Sequence, residues 1–197
     1  MPTPAPNAAS PTRERILDAA ATVLRERGVA HVTTKEIARA AGCSEALLYK
    51  HFSDKQALFM AVLRERAGGA LDLGEDPGTG EVRDNLIDTV EGLLAFYVVS
   101  FPMSASIFSS HALLTAWREQ MTTRGAGPRS PLRALEAYLD AEIELGRLER
   151  STDSFAVASL LCGAAFQHAF LACFDGLTAV PGARGLAERL VDSTLEL

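Results

Sequence analysis

Hydrophobic positions along this chain recur at helical spacing, and strict strand-like alternation is almost absent. Ile16, Leu17, Ala20, Val23 and Leu24 form a first apolar stripe, which predicts a helix from about Thr12 to Arg27 with Gly28 as its stop. Ile37, Ala38 and Ala41 then mark a short helix opened by Thr33-Thr34, where a side-chain oxygen can cap free backbone N–H groups. Gly42 stands where the chain must reverse. Ser44 follows as a second N-cap, and Leu48 and Phe52, four apart, share the buried side of a second short helix. Ser53-Asp54 cap a further helix from about Lys55 to Arg66, carrying Leu58, Phe59, Val62 and Leu63. Gly68-Gly69 and the stretch from Gly74 to Gly80 break the pattern.

Beyond that break the same periodicity predicts helices over roughly Glu81–Ser100, Ser104–Arg124, Pro131–Arg147, Asp153–Phe174 and Ala183–Leu195. Pro102, the Gly125 to Pro128 run, Gly146 with Ser151, and Gly176 with Pro181-Gly182 separate them. The expected fold is therefore all-α. Ala, Leu, Glu and Arg dominate the composition, which agrees with helices throughout.

No apolar run is read as long enough to cross a bilayer, and the N-terminus lacks the charged start and apolar core of a signal peptide. No membrane association is expected. Cys162 and Cys173 lie eleven residues apart on one expected helix, separated by roughly 16 Å at about 1.5 Å per residue. That exceeds disulfide reach and predicts a reduced, cytoplasmic protein.

The net charge of −6 argues against a nucleic-acid binder until it is resolved along the chain. Residues 1–66 hold ten Lys/Arg against seven Asp/Glu, a net +3, whereas residues 67–197 hold nine against eighteen, a net −9. A basic head on an acidic body suits a protein that presents one end to phosphates.

Two short helices joined by a tight Gly turn form a helix-turn-helix, whose second helix enters the DNA major groove. The pattern Thr33-Thr34-x-x-Ile37-Ala38-x-x-Ala41-Gly42-x-Ser44-x-x-x-Leu48-Tyr49-x-His51-Phe52-x-x-Lys55-x-x-Leu58 closely resembles the N-terminal signature of the TetR family of one-component transcriptional regulators. It covers about a quarter of the chain. Ala46 stands where the family commonly has Gly, and Cys43 where it usually has Val. The resemblance implies a three-helix head, a linking helix and a helical effector domain that dimerises. On this chain that gives a Pro/Ala-rich tail over 1–10, expected to be disordered, and a helix-turn-helix domain over 11–53. A linking helix over 54–67 and an effector-binding and dimerisation domain over 68–197 complete the plan.

Ser44, Glu45, Ala46, Leu47 and Lys50 are expected on the reading face. Glu45 either accepts from a cytosine amino group or faces solvent. Lys50 donates to guanine or touches only phosphate, and Leu47 is matched to a thymine methyl. Thr34, Lys35, Tyr49, His51 and Lys55 have the hydroxyls and cations that hold phosphates and set register, though His51 could instead cap or pack. Tyr49 and Lys55 are the phosphate contacts that the resemblance supports best.

The stretch from Phe155 to Phe166 is apolar almost all round, and Gly163, Ala164 and Ala165 permit close helix approach. By the resemblance it pairs with Leu186, Leu190 and Val191 in a four-helix interface of a homodimer, the alternative being an ordinary core helix of the monomer. Phe96, His111, Trp117 and His168 are the candidate lining of an effector pocket in the middle helices. Their character predicts an apolar or aromatic small molecule of limited charge, although most such aromatics serve a core.

No enzyme motif is present: there is no Gly-x-Ser-x-Gly elbow, no phosphate-binding Gly loop and no His-Glu-x-x-His. The four histidines are scattered, and no catalytic residues, metal site or cofactor are expected. The reading that results is a homodimeric transcriptional regulator, a repressor that binds a double-stranded palindromic operator and is released by a small, mostly apolar ligand. The alternatives are a DNA-binding regulator without a small-molecule inducer, acting as an activator or under a protein partner, and an enzyme or carrier with a relic DNA-binding head.

Overall fold

The computed structural model describes residues 10–27, 32–66, 76–109, 111–123 and 127–195. Among these residues the secondary structure is helical, without strands. Residues 1–9 of the expected tail over 1–10 lie outside the described residues, as do the Gly28 stop and the Gly68-Gly69 and Gly74 breaks. The chain divides into two compact units, residues 1–66 and 67–197.

The N-terminal unit holds α1 (Pro11–Arg27), α2 (Thr34–Ala40), α3 (Glu45–His51) and α4 (Lys55–Arg66). The apolar stripe of α1 is its centre: Ile16, Leu17, Ala20 and Leu24 are all fully buried, together with Ile37, Leu48, Leu58 and Val62. Burial of such side chains contributes roughly 1.5–3 kcal/mol each, which is what holds two seven-residue helices that are too short to persist alone. Arg13 of α1 clamps Glu65 of α4 through two hydrogen bonds, at 2.6 and 2.8 Å. Its guanidinium also lies over the Phe52 ring, 5.4 Å from the centroid.

The C-terminal unit holds α5 (Val82–Phe108), α6 (His111–Thr123), α7 (Ser130–Glu144), α8 (Ser154–Phe174) and α9 (Ala183–Thr194). Helix α8 packs on α5 and α7, and α9 packs on α5 and α8. The core joins Leu86, Val90 and Leu93 of α5 to Leu135 and Leu139 of α7, Leu161 and Ala165 of α8, and Ala187 and Val191 of α9.

Two expectations are corrected here. Pro102 does not end a helix, because α5 runs through it to Phe108. A proline removes the hydrogen bond to the carbonyl four residues back, here that of Val98. The Cys173 thiol donates to that carbonyl at 3.5 Å, so it keeps a partner.

The second correction concerns α8. It is long and apolar enough, by length and composition, to cross a membrane, with a mean hydropathy of 1.7 over its best window, 39% of which is buried. Ser159, Gln167 and His168 interrupt the run as read residue by residue, but the average over the helix remains apolar. One side of α8 meets the core through Val157, Ala158, Leu161 and Ala165. The other side exposes Phe155, Leu160, Phe166, Phe170 and Phe174.

Candidate functional site

The turn between α2 and α3 follows from Gly42. Its φ of +63° is left-handed, a region open to glycine without penalty. From there Cys43 N–H donates to the Ala38 carbonyl at 2.9 Å and Gly42 N–H to the Arg39 carbonyl at 3.2 Å, closing the end of α2. Both helices are capped at their starts. Thr33 and Glu36 form a reciprocal capping box on α2, and Ser44 Oγ accepts from Leu47 N–H on α3.

These caps fix which side chains of α3 face outward. Leu48 is buried, while Ala46, Tyr49 and Lys50 are exposed and Glu45, Leu47 and His51 are half-buried. On neighbouring segments Lys35 and Ser44 are exposed and Lys55 is half-buried. The structure thus places the expected reading and phosphate-binding residues on the helix-turn-helix, with Lys55 at the start of α4. Arg39, exposed on α2, was outside the expected set, and its position two residues before the buried Ala41 was the available signal.

Thr34 has a different position from the one expected. It is buried, and its hydroxyl donates to a Glu45 carboxylate oxygen at 2.5 Å and lies 3.1 Å from the Tyr49 hydroxyl. Thr34 has a single hydroxyl hydrogen, which it gives to Glu45, so Tyr49 donates to Thr34. Thr34 therefore orients two α3 side chains from within the protein. Lys55 Nζ lies 5.2 Å from the centroid of the Phe59 ring. Burial lowers its pKa from the ordinary lysine value, and Glu36 opposes that shift.

The four candidate effector residues do not converge. Trp117 of α6 lines an open cavity of about 700 Å³ bounded by α5, α6 and the start of α7. Phe96 instead packs against the core and meets Tyr97 edge to face at 5.3 Å. His111 is exposed at the start of α6, and His168 is half-buried on α8; neither lines that cavity. Three arginines that were not anticipated do line it: Arg118 of α6, Arg129 preceding α7 and Arg133 of α7. The spacing of Arg129 and Arg133, four apart at a helix start, was the sequence signal for one shared face. Among the described residues no group of three His, Cys, Asp or Glu forms a metal site.

Residues 16–62 match the family model for bacterial regulatory proteins of the tetR family. The HTH-type transcriptional regulator YvkB of Bacillus subtilis is 46% identical over 57 residues, covering 29% of this chain and 30% of YvkB. The transcriptional repressor AcnR of Corynebacterium glutamicum is 30% identical over 80 residues, covering 41% and 43%. The matched stretches thus span less than half the length of these curated relatives. The likeness over nearly the whole chain is to solved structures. Transcriptional regulator FadR from Bacillus subtilis, in complex with stearoyl-CoA, aligns with a TM-score of 0.65 at 16% identity, covering 93% of this chain and 97% of that one. At that identity the likeness establishes the fold, and the match over residues 16–62 establishes the head. Over residues 16–62 this chain carries the N-terminal domain of the tetR family of bacterial regulatory proteins.

Proposed function

We propose that the chain is a homodimeric repressor whose α3 helices read a palindromic operator and whose C-terminal unit binds a small molecule that releases the DNA. The observation that carries this reading is the outward face of α3, where Ala46, Tyr49 and Lys50 stand clear of the core on a helix capped at Ser44. In the proposal Ser44, Glu45, Ala46, Leu47 and Lys50 meet base edges. Lys35, His51 and Lys55 hold phosphates, Tyr49 does so by turning toward a phosphate oxygen the hydroxyl hydrogen it otherwise gives to Thr34, and Thr34 braces Glu45.

A single seven-residue helix reads few base pairs, so a second copy is required for a specific site. The exposed side of α8 supports that copy. Phe155, Leu160, Phe166, Phe170 and Phe174 make an apolar patch of a kind that marks an interaction surface, and Gly163 between them leaves space for a close partner helix. A lipid occupant is disfavoured because α9, packed on α8, carries exposed Arg189 and Asp192. The protein in this reading works in the cytoplasm, where its operator is.

Ligand control requires the effector to bind better to a conformation in which the heads no longer fit the operator, since only differential affinity shifts an equilibrium. The repressor role has support from AcnR, and ligand binding from the stearoyl-CoA held by FadR. Selection of operator sequences from random duplex DNA with the purified chain tests the reading. A two-fold symmetric consensus is expected, with binding lost in the Tyr49→Ala, Lys55→Ala double variant while the helical circular-dichroism signal persists. Recovery of no consensus, or unaltered binding by the folded variant, contradicts it.

A further inference from the structure

We infer that the cavity around Trp117 takes an amphipathic anion, a carboxylate or phosphate ester on an apolar body. This rests on the effector role proposed above for the C-terminal unit and names the chemistry of its ligand. The expectation from the sequence is a ligand of limited charge, since few buried cations are available to form a cluster that binds a strong anion.

The structure assembles one. Residues 67–197 carry nine cations, all arginine, against eighteen carboxylates. Three of the nine, Arg118, Arg129 and Arg133, line a single cavity whose walls hold no carboxylate. Of the other five described arginines of this unit three are paired, and exposed Arg150 and Arg189, like those of the cavity, are not. Arg83 pairs with Asp192, Arg184 with Asp88 and Glu91, and Arg147 with Glu142. Among the described residues Arg118, Arg129 and Arg133 have no such partner. Three like charges on one cavity repel each other, and an acidic unit had carboxylates enough to neutralise them. Guanidinium groups present planar forks of donors that match carboxylate and phosphate oxygens.

The remaining wall is apolar. Ile107 is buried, Trp117 and Met121 are half-buried, and Phe108 is 70% exposed although it lines the same cavity. The exposed Phe108 ring and three exposed, unpaired arginines line this one cavity, which leaves apolar surface in water and charge without a protein counterion. One ligand that is anionic at one end and apolar at the other relieves both. The volume of about 700 Å³ lies in the range of small-molecule sites.

Trp117 is the only tryptophan of the chain, so its fluorescence reports occupancy of this cavity directly. The test titrates the full-length protein with four probes sharing one apolar body: decanoate, decyl phosphate, 1-decanol and decylamine. Saturable changes are expected with decanoate and decyl phosphate, at affinities at least ten-fold above those of the alcohol and the amine. The Arg118→Gln, Arg133→Gln variant should weaken both anions at least ten-fold and leave 1-decanol within two-fold. Arg129→Gln and Arg133→Gln singly serve if the double variant does not fold, and each should weaken both anions at least three-fold. Anions that bind no tighter than the alcohol, or folded variants that retain anion affinity, overturn the inference. Operator affinity is read alongside. A Trp117 response without loss of operator affinity supports the ligand class and contradicts its role as inducer. Intact operator binding with no Trp117 response overturns the ligand class and leaves the DNA reading standing.

Discussion

The Thr34 hydroxyl on α2 donates to the Glu45 carboxylate on α3 at 2.5 Å. This bond joins the two helices of the helix-turn-helix on the side from which Tyr49 emerges, and Tyr49 completes it from 3.1 Å. Thr34→Val keeps the shape of the side chain and removes the hydroxyl. It should lower operator affinity about three- to ten-fold, on the order of the ~1 kcal/mol net of one hydrogen bond, with little change in thermal midpoint. Gel-shift titration with parallel thermal melts reads both quantities. Unchanged affinity would mean that Glu45 needs no brace.

Lys55 combines a proposed phosphate-binding position with an environment that disfavours its charge. Burial lowers its pKa, so the surroundings disfavour the charged form. A lysine of lowered pKa costs the fold stability at neutral pH, and that cost is relieved as pH rises toward the ordinary lysine range. Lys55→Met should leave the thermal midpoint unchanged or raised while weakening operator binding at least five-fold. It should also reduce the slope of log affinity against log salt by about one. A variant that melts lower and binds as tightly would reverse the assignment.

The outward side of α8 makes a prediction about assembly. Leu160 is 63% exposed and sits between Ser159 and the core residue Leu161. Leu160→Asp places a charge in the proposed dimer interface, where desolvation is costly, without entering the monomer core. Sedimentation velocity should show a shift from dimer to monomer at micromolar concentration, with operator affinity falling at least ten-fold. A wild-type chain that sediments as a monomer would remove the basis of this reading.

Glu142 is fully buried at the end of α7, where it accepts from Gly78 N–H at 3.1 Å and faces Arg147 at 3.4 Å. The Arg147 guanidinium also donates to the Gly80 carbonyl at 2.5 Å. Together they fasten the segment that leads into α5. Glu142→Ala strands the Gly78 N–H and removes the carboxylate facing Arg147, whose guanidinium keeps the Gly80 carbonyl, and should cost ~2–3 kcal/mol. The thermal midpoint should drop by roughly 4–12 °C, measured on the full chain by differential scanning calorimetry. A shift within a degree would show that water replaces the carboxylate.

The head was the most legible part of the sequence, and the reason is local. Thr33, Gly42 and Ser44 each do their work within three or four residues, and Ile37, Leu48 and Phe52 repeat at helical spacing. The body was read correctly as helical but wrongly segmented at Pro102, because a proline reads as a stop unless a distant donor such as Cys173 is known. Helix α8 has one apolar side in the core and another exposed, and composition alone does not separate the two. The cavity was the least legible. Trp117 was found as an aromatic, but Arg118 comes from α6 and Arg129 and Arg133 from the start of α7, and only packing brings them together.

Hydroxyl-radical footprinting of the wild-type chain on its selected operator tests the central claim most directly. Two protected patches related by a two-fold axis are expected, centred one helical turn apart, roughly 34–36 Å, or at a longer spacing on an extended site. The Tyr49→Ala, Lys55→Ala variant should lose both patches together. A single protected patch, or uniform protection independent of sequence, would contradict a dimer that reads DNA through α3.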